Sequence, residues 1–116
     1  MNNLIEKKTY YNILYSYYGE LLTDKQKEVF VAYYEEDYSL KEIADSLGIS
    51  RNAVHDALKT CIKNLEHFEN VLKLYEKNTK RSILYQEYEN NETHELINKL
   101  KEMEWAKCLL KVYQNV

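Results

Sequence analysis

At 116 residues the chain has room for one hydrophobic core, and a second independent core would be hard to build. It has no proline and only two glycines, Gly19 and Gly48, so strands would lack the turn chemistry they need, while 45% apolar and 30% charged residues suit long soluble helices. The formal net charge of −3 counts against a uniformly basic nucleic-acid binder.

The first segment, about Leu4 to Leu22, carries Tyr10, Ile13, Leu14, Tyr17, Tyr18, Leu21 and Leu22 at spacings dominated by three and four. It reads as an amphipathic helix with a wide aromatic face. Core packing is the plain account of that face, and an intermolecular aromatic surface is the alternative. Thr23-Asp24-Lys25-Gln26 then forms a capping box, and the helix it opens runs through Val29, Phe30, Tyr33 and Tyr34 to the acidic run Glu35-Glu36-Asp37. Ser39-Leu40-Lys41-Glu42 is a second capping box, with Tyr38 and Ile43 placed for a hydrophobic staple. That short helix turns Leu40, Ile43, Ala44 and Leu47 inward, and Gly48 stops it, because the position after the C-cap needs positive φ. Ser50 caps the next helix and Ile49 can staple onto Val54.

In that next helix Val54, Leu58, Cys61, Leu65, Phe68, Leu72 and Tyr75 alternate spacings of four and three, which is a heptad seam. Nothing before Asn90-Asn91 breaks it, so it is expected to run to about Tyr88, with Asn90-Asn91 as the loop. A C-terminal helix, 93–113, presents Leu96, Ile97, Leu100, Met103 and Leu110, widened by Trp105, Cys108, Leu109 and Val112, and this face should be buried. The seam looks too long for the short preceding helices to cover. Self-association as a homodimer through Leu65, Phe68, Leu72 and Tyr75 is therefore expected, with intramolecular packing of the same surfaces as the alternative. Overall the fold class is all-α: one domain over 1–116, a wingless helix-turn-helix at 39–66, and long helices flanking it.

Residues 39–58, SLKEIADSLGISRNAVHDAL, have the layout of a helix-turn-helix. Ala44 lies where two helices approach closely, Gly48 makes the turn, and Val54 and Leu58 seat the second helix. With Val54, Leu58, Cys61 and Leu65 inward, a turn of about 100° per residue leaves Asn52, His55, Asp56, Lys59 and Lys63 outward and Arg51 at the exposed N-terminus. Arg51 suits a guanine edge, Asn52 an adenine, and Lys59 and Lys63 suit phosphates, with His55 and Asp56 next along the groove. Asp56 accepts from cytosine and is otherwise repelled by phosphate. A solvated helix face would carry the same residue types. Basic groups at Arg51/Lys59/Lys63 and Lys73/Lys77/Lys80/Arg81 are offset by Glu35-Glu36-Asp37 and Glu87–Glu95, so the field is dipolar and binding by one chain should be salt-sensitive.

The three histidines and two cysteines have no metal-ligand spacing, and there is no phosphate loop or nucleophile motif. A non-enzyme without metal or cofactor is expected. Cys61 and Cys108 read as two reduced core thiols, with a disulfide between them left open. The absence of an apolar run near the ~18 residues of a membrane span, or of signal-peptide type at the N-terminus, points to a cytoplasmic protein.

The segment 22–66 resembles region 4 of bacterial sigma factors. The tyrosine-rich first helix, LLTDKQ, YYEEDYSLKEIA and SRNAVHD are together similar to the YlxM family of small helix-turn-helix proteins over roughly residues 8–88. The sigma resemblance implies base-facing roles for Arg51, Asn52, His55 and Asp56. The family resemblance implies a regulatory protein acting in, or on components of, the signal recognition particle pathway. The rival reading is an adaptor that uses the helix-turn-helix as a scaffold for a protein or RNA partner, favoured by the overall acidity.

Overall fold

The computed structural model describes the backbone of residues 2–114 and the side chains of residues 6–104. Six α-helices follow one another: α1 (Asn2–Tyr18), α2 (Asp24–Phe30), α3 (Leu40–Leu47), α4 (Arg51–Leu72), α5 (Leu74–Tyr88) and α6 (His94–Gln114). A short 3₁₀ turn, Gly19–Leu21, links α1 to α2, and a π-helical turn, Val31–Glu35, extends α2. No strand occurs among the described residues, so the all-α class with a helix-turn-helix is the observed one. The chain divides into two compact units, Met1–Glu76 and Lys77–Val116.

Local chemistry starts and stops the helices of the first unit. Thr23 Oγ1 accepts from Gln26 N at 3.2 Å while Thr23 N donates to Gln26 Oε1 at 3.0 Å. Ser39 and Glu42 exchange the same pair of bonds at 3.1 Å each, and Ser50 Oγ accepts from Ala53 N at 3.0 Å. These bonds satisfy amides that a helix start leaves without partners. Tyr38 stays exposed despite its placement for a staple, whereas Ile49 packs against the cluster that contains Val54.

Gly48 ends α3 at φ 67°, and a Cβ built there would meet nothing within 4 Å. Its requirement is purely one of backbone conformation. Gly48→Ala should therefore cost about 1–2 kcal/mol, and Gly48→Asn less, since asparagine tolerates the left-handed region better. Urea unfolding measures both; equal costs for the two variants would contradict a conformational origin.

Two groups of buried side chains make the core of this unit. Val29, Ile43, Ala44, Val54 and Leu58 bind α2, α3 and the start of α4, and Leu14, Tyr18, Leu22, Phe30, Cys61 and Leu65 bind α1, α2 and the middle of α4. Phe30 is sandwiched between Tyr15 and Tyr34, with ring centroids 4.5 and 4.6 Å away. The aromatic face of the first segment is thus core at Leu14, Tyr18 and Leu22 and half-buried at Ile13 and Tyr17, whereas Tyr10 and Leu21 stand at the surface. Cys61 is a buried free thiol, and burial pushes its pKa up to about 11, which disfavours the reactive thiolate.

The heptad seam is covered within the chain along most of its length, contrary to the intermolecular reading. Leu65 is 0% exposed beneath α1, Phe68 packs against the same cluster, and Tyr75 packs on Tyr10 and Tyr17 of α1. Only Leu72, at 44%, stands at the surface. The physical reason is that α1 supplies its own apolar stripe to α4, which the sequence pattern of α4 does not reveal.

The expected continuous helix to Tyr88 is interrupted at Lys73, which adopts φ 56° and ψ 32°. Tyr18 Oη donates to Glu69 Oε1 at 2.6 Å and accepts from Leu74 N at 3.0 Å. Glu69 in turn accepts from Tyr75 N and Glu76 N, both at 3.1 Å. A buried tyrosine–glutamate pair thereby caps the first three amides of α5, and Lys73 takes the left-handed turn that points them there.

The second unit holds the rest of α5 and α6, joined at residues 89–93. Asn90 Oδ1 accepts from the amides of Glu92 and Thr93 at 2.8 and 3.0 Å, so the loop falls where Asn90-Asn91 suggests. Glu104 of α6 ties to α5 through Arg81 Nε at 2.7 Å and Tyr85 Oη at 2.8 Å. Among the described residues, the apolar face expected to be buried on α6 is covered at Ile97 alone, whereas Leu96 and Met103 are 60% and 61% exposed and Leu100 is also at the surface. α6 is tied to α5, among the described residues, through polar groups converging on Glu104. The side chains of Trp105, Cys108, Leu109, Leu110 and Val112 lie outside the described residues.

Candidate nucleic-acid interface

The N-terminal half of α4 is oriented by what it buries. Val54, Leu58 and Cys61 are wholly or nearly wholly inside, and this forces Arg51, Asn52, His55, Asp56, Lys59 and Lys63 to the surface. Arg51, His55, Lys59 and Lys63 recur every fourth residue and form one stripe, about 18 Å long at 1.5 Å per residue. Asn52 and Asp56 form a shorter parallel row. His55 Nδ1 lies 3.8 Å from Asp56 Oδ1, so the acid sits beside the stripe and tempers its charge. Both side chains are exposed, which makes that attraction weak.

A shallow hollow of about 310 Å³ flanks the stripe, with Lys59 and His55 on one wall and Tyr11, Tyr33 and Tyr34 on the other. Lys8 Nζ lies 5.3 Å from the centre of the Tyr33 ring and 3.4 Å from Asp37 Oδ1. The tyrosines and Lys8 were not evident as site residues, because they come from α1 and the π turn. The adjacent pair Tyr33-Tyr34 after a capped helix is the one sequence signal that could have drawn attention to them. Burial holds the Tyr34 hydroxyl protonated, with its pKa pushed up to about 12.

All six side chains expected on the nucleic-acid face are thus together on one exposed surface. The residues assigned to dimerisation are not: Leu65, Phe68 and Tyr75 belong to the intramolecular packing of α1 on α4. Among the described residues no three histidine, cysteine or carboxylate groups gather as metal ligands, and no helix is long and apolar enough to cross a membrane.

Two capped helices joined through a left-handed glycine, the second exposing its N-terminal face, define a helix-turn-helix protein. The chain belongs to the UPF0122 family, described as "Putative helix-turn-helix protein, YlxM / p13 like", whose model matches residues 5–104. It is 43% identical over 108 residues to a UPF0122 protein of Mycoplasma mycoides, covering 91% of this chain and 96% of the relative. A UPF0122 protein of Caldanaerobacter subterraneus subsp. tengcongensis is 54% identical over 65 residues, 56% of each chain. One from Streptococcus pyogenes serotype M6 is 45% identical over 86 residues, 73% of this chain and 76% of the relative.

Proposed function

We propose that this protein is a cytoplasmic, non-catalytic DNA-binding regulator that engages duplex DNA through the first half of α4. The observation that carries the reading is the exposed Arg51–His55–Lys59–Lys63 stripe, with Asn52 beside it, on a helix of the recognition type. Arg51 and Asn52 at the helix start are the base-reading groups, and Lys59 and Lys63 neutralise phosphate. With few cations per chain the affinity is modest, and self-association would double the contacts and present two recognition helices. The resemblance to the YlxM family supports placing the regulated step in the signal recognition particle pathway. The net charge of −3 supports a second reading, an adaptor whose helix-turn-helix holds a protein or RNA partner.

Binding of labelled random-sequence duplex across a salt series tests the first reading. Each phosphate contact contributes about −0.9 to the slope of log K against log salt. Lys59→Ala should flatten that slope by about 1 and weaken all sequences alike, while Arg51→Ala should relax preference at one position. No binding at low salt, or equal binding by the Arg51/Lys59/Lys63 triple alanine variant, would rule the DNA reading out in favour of the adaptor. Sedimentation at micromolar concentration decides the oligomeric state; a monomer throughout would exclude the dimeric form of the proposal.

A further inference from the structure

A groove of about 690 Å³ runs between α2 with its π turn and α3, and no residue of α4 lines it. Its floor is apolar: Ile43 is buried, and Val31, Ala32 and Leu47 are half-buried. Its rim is acidic on both walls, with Asp24, Glu28 and Glu36 on the α2 side and Glu42 on the α3 side. Lys27 also lines the groove, but it lies 3.5 Å from Glu20. Glu28 and Glu36 have no ion-pair partner among the described residues. Glu42 alone has a structural duty, accepting from Ser39 N.

The pattern follows from helix periodicity. Asp24, Lys27, Glu28 and Val31 are spaced as i, i+3, i+4 and i+7, and Glu42/Ser46 and Ile43/Leu47 are i,i+4 pairs, so two helical faces meet across the groove. The wall at its far end is irregular: Glu36 N donates to Val31 O at 2.9 Å across a π turn, Tyr38 N donates to Ala32 O at 3.0 Å, and Asp37 sits at φ 58°. π turns recur at functional sites. An apolar floor between two acidic rims complements one kind of ligand, a helix with an apolar stripe flanked by cations.

We propose that the α2–α3 groove docks a lysine- or arginine-rich amphipathic helix of a partner protein. Leucine-type side chains at i, i+3, i+4 and i+7 fill the floor, and flanking cations pair with Glu28 and Glu36 on one side and Glu42 on the other. The site is independent of the DNA reading, since it lies on the helices that precede α4. A chain using both faces would join a basic protein helix to a nucleic acid.

The probe is a synthetic helical peptide with leucine at the stripe positions and lysine elsewhere, titrated into the ¹⁵N-labelled full chain. A matched peptide with glutamate in place of lysine is the control. Saturable shifts of the amides around Val31, Ala32, Ile43 and Leu47 are expected with the lysine peptide alone, and binding should weaken with salt. Glu28→Lys/Glu36→Lys should lower the affinity by about tenfold, as attraction becomes repulsion at two exposed rim positions, with an unchanged unfolding transition. Glu28→Gln/Glu36→Gln should show an intermediate loss. Absence of binding, equal binding of the glutamate peptide or equal binding by the charge-reversed variant would overturn the proposal. So would shifts centred on α1 or α6. If raising the concentration of the chain alone moves the same groove amides, the occupant is a second copy and the proposed partner is wrong.

Discussion

Leu65→Ala is expected to lower the stability of the chain by about 2–5 kcal/mol, with an unfolding midpoint independent of protein concentration. Leu65 is fully enclosed by side chains of α1, α2 and α4, with Leu14, Tyr18, Leu22, Phe30 and Cys61 in the same cluster. Truncation removes apolar contact on several sides and leaves a cavity that the stacked rings of Tyr15, Phe30 and Tyr34 cannot easily close. Leu72→Ala, at the surface end of the same seam, should change stability by no more than about 0.5 kcal/mol. Equilibrium urea unfolding of both variants at two protein concentrations makes the comparison. A Leu65→Ala chain of unchanged monomer stability but lost self-association would show that the seam is intermolecular after all.

The second large effect is expected at Glu69, where Glu69→Ala should cost about 3 kcal/mol or more. The carboxylate accepts from a buried phenol and from two amides of α5, and its removal leaves these donors without partners at about 1–3 kcal/mol each. Tyr18→Phe removes one bond to Glu69 and one from Leu74 N, and should cost less. Hydrogen exchange separates this role from general destabilisation: the amides of Leu74, Tyr75 and Glu76 should lose protection in Glu69→Ala before those of α2 and α3. Unaltered protection there would sink the capping role.

The same network gives a pH signature at the alkaline end. Burial, followed by the hydrogen bond to Glu69, pushes the Tyr18 pKa from 10.0 up to about 12. A raised pKa means the folded state holds the proton more tightly than the unfolded one. The contribution of Tyr18 is therefore fully present below about pH 10 and is lost as pH rises toward 12. Tyr34, raised to about 12 by burial, shifts stability in the same direction and window. Stability of Tyr18→Phe should accordingly fall less between pH 10 and 12 than that of the unmodified chain.

Those expectations rest on two kinds of information. The caps at Thr23, Ser39 and Ser50 and the stop at Gly48 were legible in the residues, because each is a contact within three or four positions or a demand of one residue's own backbone. The outward set from Arg51 to Lys63 was legible for a related reason: once Val54, Leu58 and Cys61 are inward, helix geometry leaves no other face for it. What covers an apolar stripe is a different matter, since periodicity marks a side as buried without naming its partner. Leu65 thus looked available to a second chain until α1 was placed on it, and Leu96, Leu100 and Met103 of α6 looked buried although they stand at the surface. The break at Lys73 carries no proline, glycine or Ser/Thr/Asp/Asn cap, because the amides after it are held by Tyr18, on a distant helix, and by Glu69, reaching forward around the turn. The acid-rimmed groove likewise exists only once α2 and α3 lie side by side. The sequence by itself determined the helices, their local ends and the face of α4 turned to solvent, whereas the partners of those helices depended on contacts between residues far apart in the chain, and only the tertiary structure decides those.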